Sequence, residues 1–230
     1  MIPAVPHFSP GLFGFLRELS ENNTREWFDA NRERYRQVMQ EPAIRFVLDF
    51  GGPLAEISPA FRADPRPVGG SIFRIHRDMR FVKEGGPYKT TLGIQFRHES
   101  AKDVHSPGFY LHLEPGSVFV AMGLWRPDGP TTRAVRERIL EDSPGWIGVT
   151  RGEDFAARLT LEGDSLVRAP RGIDPEHPLV EDLRRKDFIA VAHLQEPDVL
   201  EPDFLGKVVE RCEAGAPFMR WLCGALELPF

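Results

Sequence analysis

Apolar residues recur at helical spacing near the start of the chain, at every second position through its middle, and at helical spacing again towards its end. Phe13, Leu16 and Leu19 form one stripe behind Ser9-Pro10, which predicts a cap with proline in the first turn. "ENN" interrupts this stripe. Thr24 is then placed to cap a second helix bearing Trp27, Phe28, Asn31, Tyr35 and Val38. Pro42 either kinks that helix or opens the next, which carries Ile44, Val47 and Leu48 and is expected to stop at Gly51-Gly52. From Val68 the period drops to two. "SIFRIHRD", "TTLGIQFRH", "GFYLHLE" and "SVFVAMGLW" predict strands, the last two joined by a tight turn at Pro115-Gly116. A helix from Thr131 to about Glu141 follows, and "DFAARLTLEGDSLVRAPRGI" mixes a short helix with at least one strand. "HPLVEDLRRKD" reads as helix and "FIAVAHL" as strand, and two helices close the chain, about Pro202 to Ala214 and Pro217 to Glu227.

The class is therefore α+β, a mainly antiparallel sheet bracketed by N-terminal and C-terminal helices. No shift in composition divides residues 1–230, so one domain is expected: helical over 9–60, sheet-rich over 68–126, mixed α/β over 131–195 and helical over 202–227. No apolar run approaches the roughly eighteen residues of a membrane span. The start, "MIPAVPHFSP", lacks a basic segment and an apolar core, so a soluble, cytoplasmic protein is the expectation. Cys212 and Cys223 are too few for a disulfide framework and sit in a helical pattern that suggests packing.

Charge alters this picture at one place. Across 230 residues the formal charge is −5, yet Arg74 to Arg97 holds six Lys or Arg and two acids, or +4, leaving −9 elsewhere. An acidic chain with one basic segment argues against general nucleic-acid binding and for a local anion site. Side-chain alternation sharpens the point. It places Arg74 and His76 opposite Phe73 and Ile75, Gln95 and Arg97 opposite Leu92, Ile94 and Phe96, and Tyr110, His112 and Glu114 opposite Phe109, Leu111 and Leu113. If the apolar sides face the core, Arg74, His76, Gln95, Arg97, Tyr110 and His112 share the other face, a donor set suited to phosphate or carboxylate. The alternative is an ordinary solvated sheet face. The long connection "RDMRFVKEGGPYKT" adds Arg77, Arg80, Lys83 and Lys89, with Asp78 able to orient an arginine and Gly85-Gly86-Pro87 able to bring backbone N–H groups to an anion. It is not a Walker loop.

"FLRELSENNTREWFDANRERY" and "FRIHRDMRFVKEGGPYKT", with "GFYLHLEP", "GLWRPD", "LEGDSLVRAPRGID" and "DLRRKDF", resemble the conserved hypothetical proteins grouped as domain of unknown function 2461. The likeness covers nearly the whole chain. It implies an α+β domain and carries no reaction with it. Arg74, Arg77, Asp78, Arg80, Phe81, Lys83, Pro87, Tyr88, Lys89 and Thr90 fall on the family pattern.

Other chemistries find less support. His76, His98, His105, His112 and Glu114 lie in one stretch, but no His-x-His, H-E-x-x-H or cysteine cluster accompanies them, so no metal is assigned. No G-x-S-x-G nucleophile occurs. The expected ligand-binding residues are Arg74, His76, Arg77, Asp78, Arg80, Lys83, Tyr88, Lys89 and Arg97, around a small phosphate- or carboxylate-bearing ligand. No cofactor or reaction is assigned, and His76 or His112 would carry protons if chemistry follows. The other reading is an interaction module that docks an acidic protein or a nucleic-acid backbone through residues 74–97.

Overall fold

The computed structural model describes residues 5–78, 86–100 and 106–230. Three helices, α1 (Gly11–Glu21), α2 (Arg25–Ala30) and α3 (Arg32–Tyr35), lead through a π-helical turn (Arg36–Gln40) into α4 (Glu41–Ile57). Thr24 accepts the Trp27 N–H, the cap its position predicts. Pro42 lies in the first turn of α4, where its missing N–H costs nothing. The helix runs past Gly51-Gly52 and Pro53 to Ile57, a correction to the stop expected there. Phe46, Phe50 and Leu54 are fully buried in it, and that burial outweighs the low helix propensity of glycine.

The strands are β1 (Phe61–Arg62), β2 (Leu92–His98), β3 (Gly108–Glu114) and β4 (Ser117–Leu124), followed by helices α5 (Gly129–Glu141), α6 (Ser143–Arg151) and α7 (Glu153–Arg158). Then come β5 (Thr160–Glu162), α8 (Val180–Leu183), β6 (Phe188–Leu194), α9 (Glu196–Val199) and α10 (Phe204–Ala225). The sheet has six antiparallel strands in the order β1-β2-β3-β4-β6-β5. Pro115-Gly116 makes the β3–β4 turn, with Gly116 at φ +80°. This is the α+β class expected.

Helices pack on the face that carries Leu92, Ile94, Phe96, Phe109, Leu111 and Leu113. Phe50 of α4 meets Phe96 at 4.6 Å, Trp146 of α6 meets Phe188 at 6.3 Å, and Gly215 of α10 lies so close to Met122 that a Cβ would sit 1.9 Å from its sulfur. The close approach requires glycine at position 215. Helix α10 is continuous through Pro217, where two helices were expected. Phe218, Met219 and Leu222 bury directly after the proline and hold the helix together.

"SIFRIHRD" departs from the strand expected of it. Among the described residues it makes two isolated bridges, Ile72 with Ile94 of β2 and His76 with Tyr88, and the chain bends at Ile75 between them. Backbone bonds Phe73 N–H to Gly93 O and Lys89 N–H to Ile75 O fix either side of the bend. Ile72 faces the core, so Phe73 beside it turns to the outer face of the sheet, where Arg74 was expected, and the bend returns Ile75 to the core.

Candidate functional site: an aromatic cavity on the outer sheet face

The outer sheet face holds a cavity of about 410 Å³, within the range of small-molecule sites. Phe73, Tyr110, Phe119 and Trp125 wall it, and Gln95 and His112 supply polar groups. Cross-strand register creates this assembly: Gln95 pairs with Tyr110, Tyr110 with Ala121, and His112 lies between Gly93 and Phe119. Small residues beside large ones make the hollow. A Cβ on Gly93 would stand 2.7 Å from the Tyr110 hydroxyl and 3.0 Å from the Phe73 ring, so only glycine lets both rings lie over β2.

Tyr110, His112 and Glu114 follow one another along the outer face of β3. The Tyr110 hydroxyl is 3.0 Å from His112 Nδ1, and His112 Nε2 is 3.1 Å from Glu114 Oε2. A carboxylate only accepts, so in the neutral imidazole Nε2 carries the proton and donates, and Nδ1 accepts from the tyrosine O–H. Phe119 stacks on the imidazole at 4.5 Å and 11°, fixing its plane. Burial, then the nearby Glu114 charge, pushes the Tyr110 phenol up to about 12, so it stays protonated.

Two cation–aromatic pairs stand at the walls. The Lys89 ammonium lies 5.1 Å from the Phe73 ring centre, and the Arg126 guanidinium 4.9 Å from that of Trp125. Lys89 is held below the usual lysine range, first by burial and then by the charges of Arg74 and Arg77. Among the described residues, no carboxylate lies within ion-pair distance of Arg74, Arg77 or Lys89. Arg126 has φ +47°, a strained backbone for a side-chain-bearing residue, and Asp187 holds it there by accepting its N–H at 2.7 Å.

The structure brings Arg74, Arg77 and Lys89 together. His76 is exposed beside Phe28 and Tyr88. Tyr88 is a core residue, stacked on Phe28 at 4.1 Å. Asp78 is half-buried. Arg97 is at the far end of β2, where its charge helps lower Asp64. Arg80 and Lys83 lie outside the described residues, as does His105.

Asn23 has a role the sequence did not show. Rather than ending α1, its amide donates to Tyr88 O and accepts the Tyr88 N–H, both at 3.0 Å, clamping the return of the basic segment. Asn22 does the helix-ending work by donating to Glu18 O. Phe73, Phe119, Trp125 and Arg126 were also missed as site residues. The sequence signal for the last two was "GLWRPD", and for Phe119 its position opposite His112 in the hairpin.

Among the described residues no group of three His, Cys, Asp or Glu side chains is placed to hold a metal. His112 and Glu114 engage each other, and His98 bonds Pro229 O and the Ser100 N–H. Cys212 and Cys223 are buried free thiols. Desolvation pushes Cys223 up to about 12 and Cys212 up as well, which makes both inert.

A family model for conserved hypothetical proteins, DUF2461, matches residues 11–221. The chain belongs to this family. The matched residues take in α1, every strand and most of α10, so the cavity falls within the DUF2461 fold. A search of curated proteins finds no match to the chain. No helix among the described residues is long and apolar enough to cross a membrane.

Proposed function

We propose that the protein binds a small ligand with a planar apolar body and a phosphate or carboxylate group. The observation that carries this reading is the pairing of cations with aromatic walls: Lys89 with Phe73 and Arg126 with Trp125, around a cavity of about 410 Å³. The rings supply apolar contact area, and Lys89, crowded by Arg74 and Arg77, gains most from an arriving negative charge. The sequence suggested an anion site of Arg74, His76, Arg77, Asp78, Arg80, Lys83, Tyr88, Lys89 and Arg97. The geometry adds an apolar body to the ligand.

The test uses 3-phenylpropionate, phenyl phosphate and the neutral isostere 3-phenylpropanol, followed by tryptophan emission and calorimetry. Trp125 is 48% exposed at the cavity, so an occupant should alter its emission. The anionic probes are expected to bind about tenfold or more tighter than the alcohol, and Lys89→Met with Arg126→Gln to remove that preference. Equal binding of acid and alcohol, or no binding of either anion, would overturn the reading. Steeply salt-dependent binding of polyglutamate or an oligonucleotide, without any small-probe binding, would favour the docking module instead.

A further inference from the structure

We propose that Tyr110, His112 and Glu114 form a proton relay that makes the cavity a catalytic site for enol–keto interconversion of an aromatic 2-oxo acid. The inference rests on the binding reading above and names its substrate class. Three observations carry it. The relay is continuous, with contacts of 3.0 Å and 3.1 Å whose donors and acceptors run in one sense when Glu114 is ionised and the imidazole neutral. Its tyrosine and histidine both line the cavity. The imidazole plane is fixed by Phe119, and its far nitrogen is held by a carboxylate, the arrangement that stabilises an imidazolium when a proton arrives.

In the resting relay the Tyr110 hydrogen points to His112, which leaves the phenol oxygen free to accept. A substrate C–H between an aromatic ring and a carbonyl gives its proton to that oxygen as the tyrosine proton passes to His112 Nδ1. The C–H bond breaks, its electron pair forms the carbon–carbon double bond, and the carbonyl pair moves onto oxygen. The same proton count then returns through Tyr110 to the enolate oxygen. One proton has moved from carbon to oxygen, and nothing is oxidised or reduced. Because the proton passes through the phenol, no free phenolate has to form, which suits a tyrosine held at about 12. The ring of the substrate meets the aromatic walls and its carboxylate is drawn to Lys89 beside Phe73. That is why an aromatic 2-oxo acid fits better than a simple ketone.

Tyr110 and His112 are the catalytic pair, and Glu114 is a positioning residue. Groups facing His112 are Tyr110 and Glu114 on β3, Phe119 on β4 and, beyond Phe119, His193 of β6 with its partner Glu162 of β5. Thr90 stands 3.5 Å from the second Glu114 oxygen, and Lys89 is on the Phe73 side of the cavity.

The experiment follows ketonisation of the phenylpyruvate enol by its ultraviolet absorbance, alongside calorimetric binding of 3-phenylpropionate, which cannot enolise. Wild type is expected to accelerate the reaction above buffer. Tyr110→Phe and His112→Gln are expected to lose about a hundredfold in kcat/KM, far more than either loses in 3-phenylpropionate affinity. Glu114→Gln should move the acid limb of kcat/KM to lower pH, because the imidazolium loses its counter-charge, and Glu114→Asp should restore part of the profile. Binding of 3-phenylpropionate without acceleration would overturn the relay and leave the binding reading standing. Acceleration that survives Tyr110→Phe also overturns the relay. Absence of both binding and acceleration overturns both.

Discussion

Single atoms decide the shape of the cavity. Gly93 has an ordinary strand setting, and what forbids a side chain there is the Tyr110 hydroxyl at 2.7 Å and the Phe73 ring at 3.0 Å. Gly93→Ala should force both rings aside, costing about 1–3 kcal/mol and lowering the thermal midpoint by several degrees in far-ultraviolet circular dichroism. The same substitution should weaken 3-phenylpropionate binding, since the displaced rings are walls of the cavity. Gly86 is constrained in a similar way. Its Cβ would lie 2.2 Å from the Asn23 side chain, so the Asn23 clamp on Tyr88 depends on glycine two residues earlier. Alternation placed Tyr110, His112 and Glu114 on one face correctly because β3 is regular over all seven of its residues. It failed at Phe73, which follows core-facing Ile72 and so faces out, with the bend then bringing Ile75 back to the core.

At the scale of elements, the interruption around Phe73 has a use. The bridge of core-facing Ile72 to Ile94 turns Phe73 outward as an aromatic wall with Lys89 over it, and the bend lets Ile75 rejoin the core. Helix α10 shows the opposite balance, with local sequence opposing regular structure and packing overriding it. Pro217 is exposed, removes one helical N–H and crowds the carbonyl four residues before it, yet α10 continues through it. Pro217→Ala should therefore stabilise the protein by about 1–3 kcal/mol, seen as a midpoint raised by a few degrees. An unchanged or lower midpoint would mean that the proline ring contributes packing of its own.

Across the whole molecule the acidic excess is tied into surface ion pairs. Glu18 is held below the usual carboxylate range by Arg34, Asp64 by Arg66, Asp198 by Lys207 and Glu210 by Arg158. A carboxylate lowered in the folded state contributes stability that is fully present above its unfolded value, about 4. That contribution disappears as pH falls through the lower folded value. The thermal midpoint should therefore be insensitive to these groups near neutrality and should decline below about pH 4. Added salt should shrink the decline, because three of the pairs are solvent-exposed and Asp198–Lys207 is partly so. A midpoint flat to pH 2, measured by differential scanning fluorimetry, would contradict this.

Sequence alone determined what repeats along the chain. It gave the α+β class, the hairpin at Pro115-Gly116, strand β6 at its observed limits, the Thr24 cap and the apolar side of β2 and β3. These follow from side-chain period and local backbone chemistry, which act over a few residues. Tertiary structure decided what depends on contact between distant segments. It carried α4 through a Gly-Gly-Pro run and α10 through a proline because buried aromatic and aliphatic groups outweigh local propensity. It placed Arg97 away from Lys89, although both stand in one basic run. It also set Phe73, Tyr110, Phe119 and Trp125 around one hollow. No periodicity encodes that hollow, because its walls come from strand register, a bend and glycines that allow close approach.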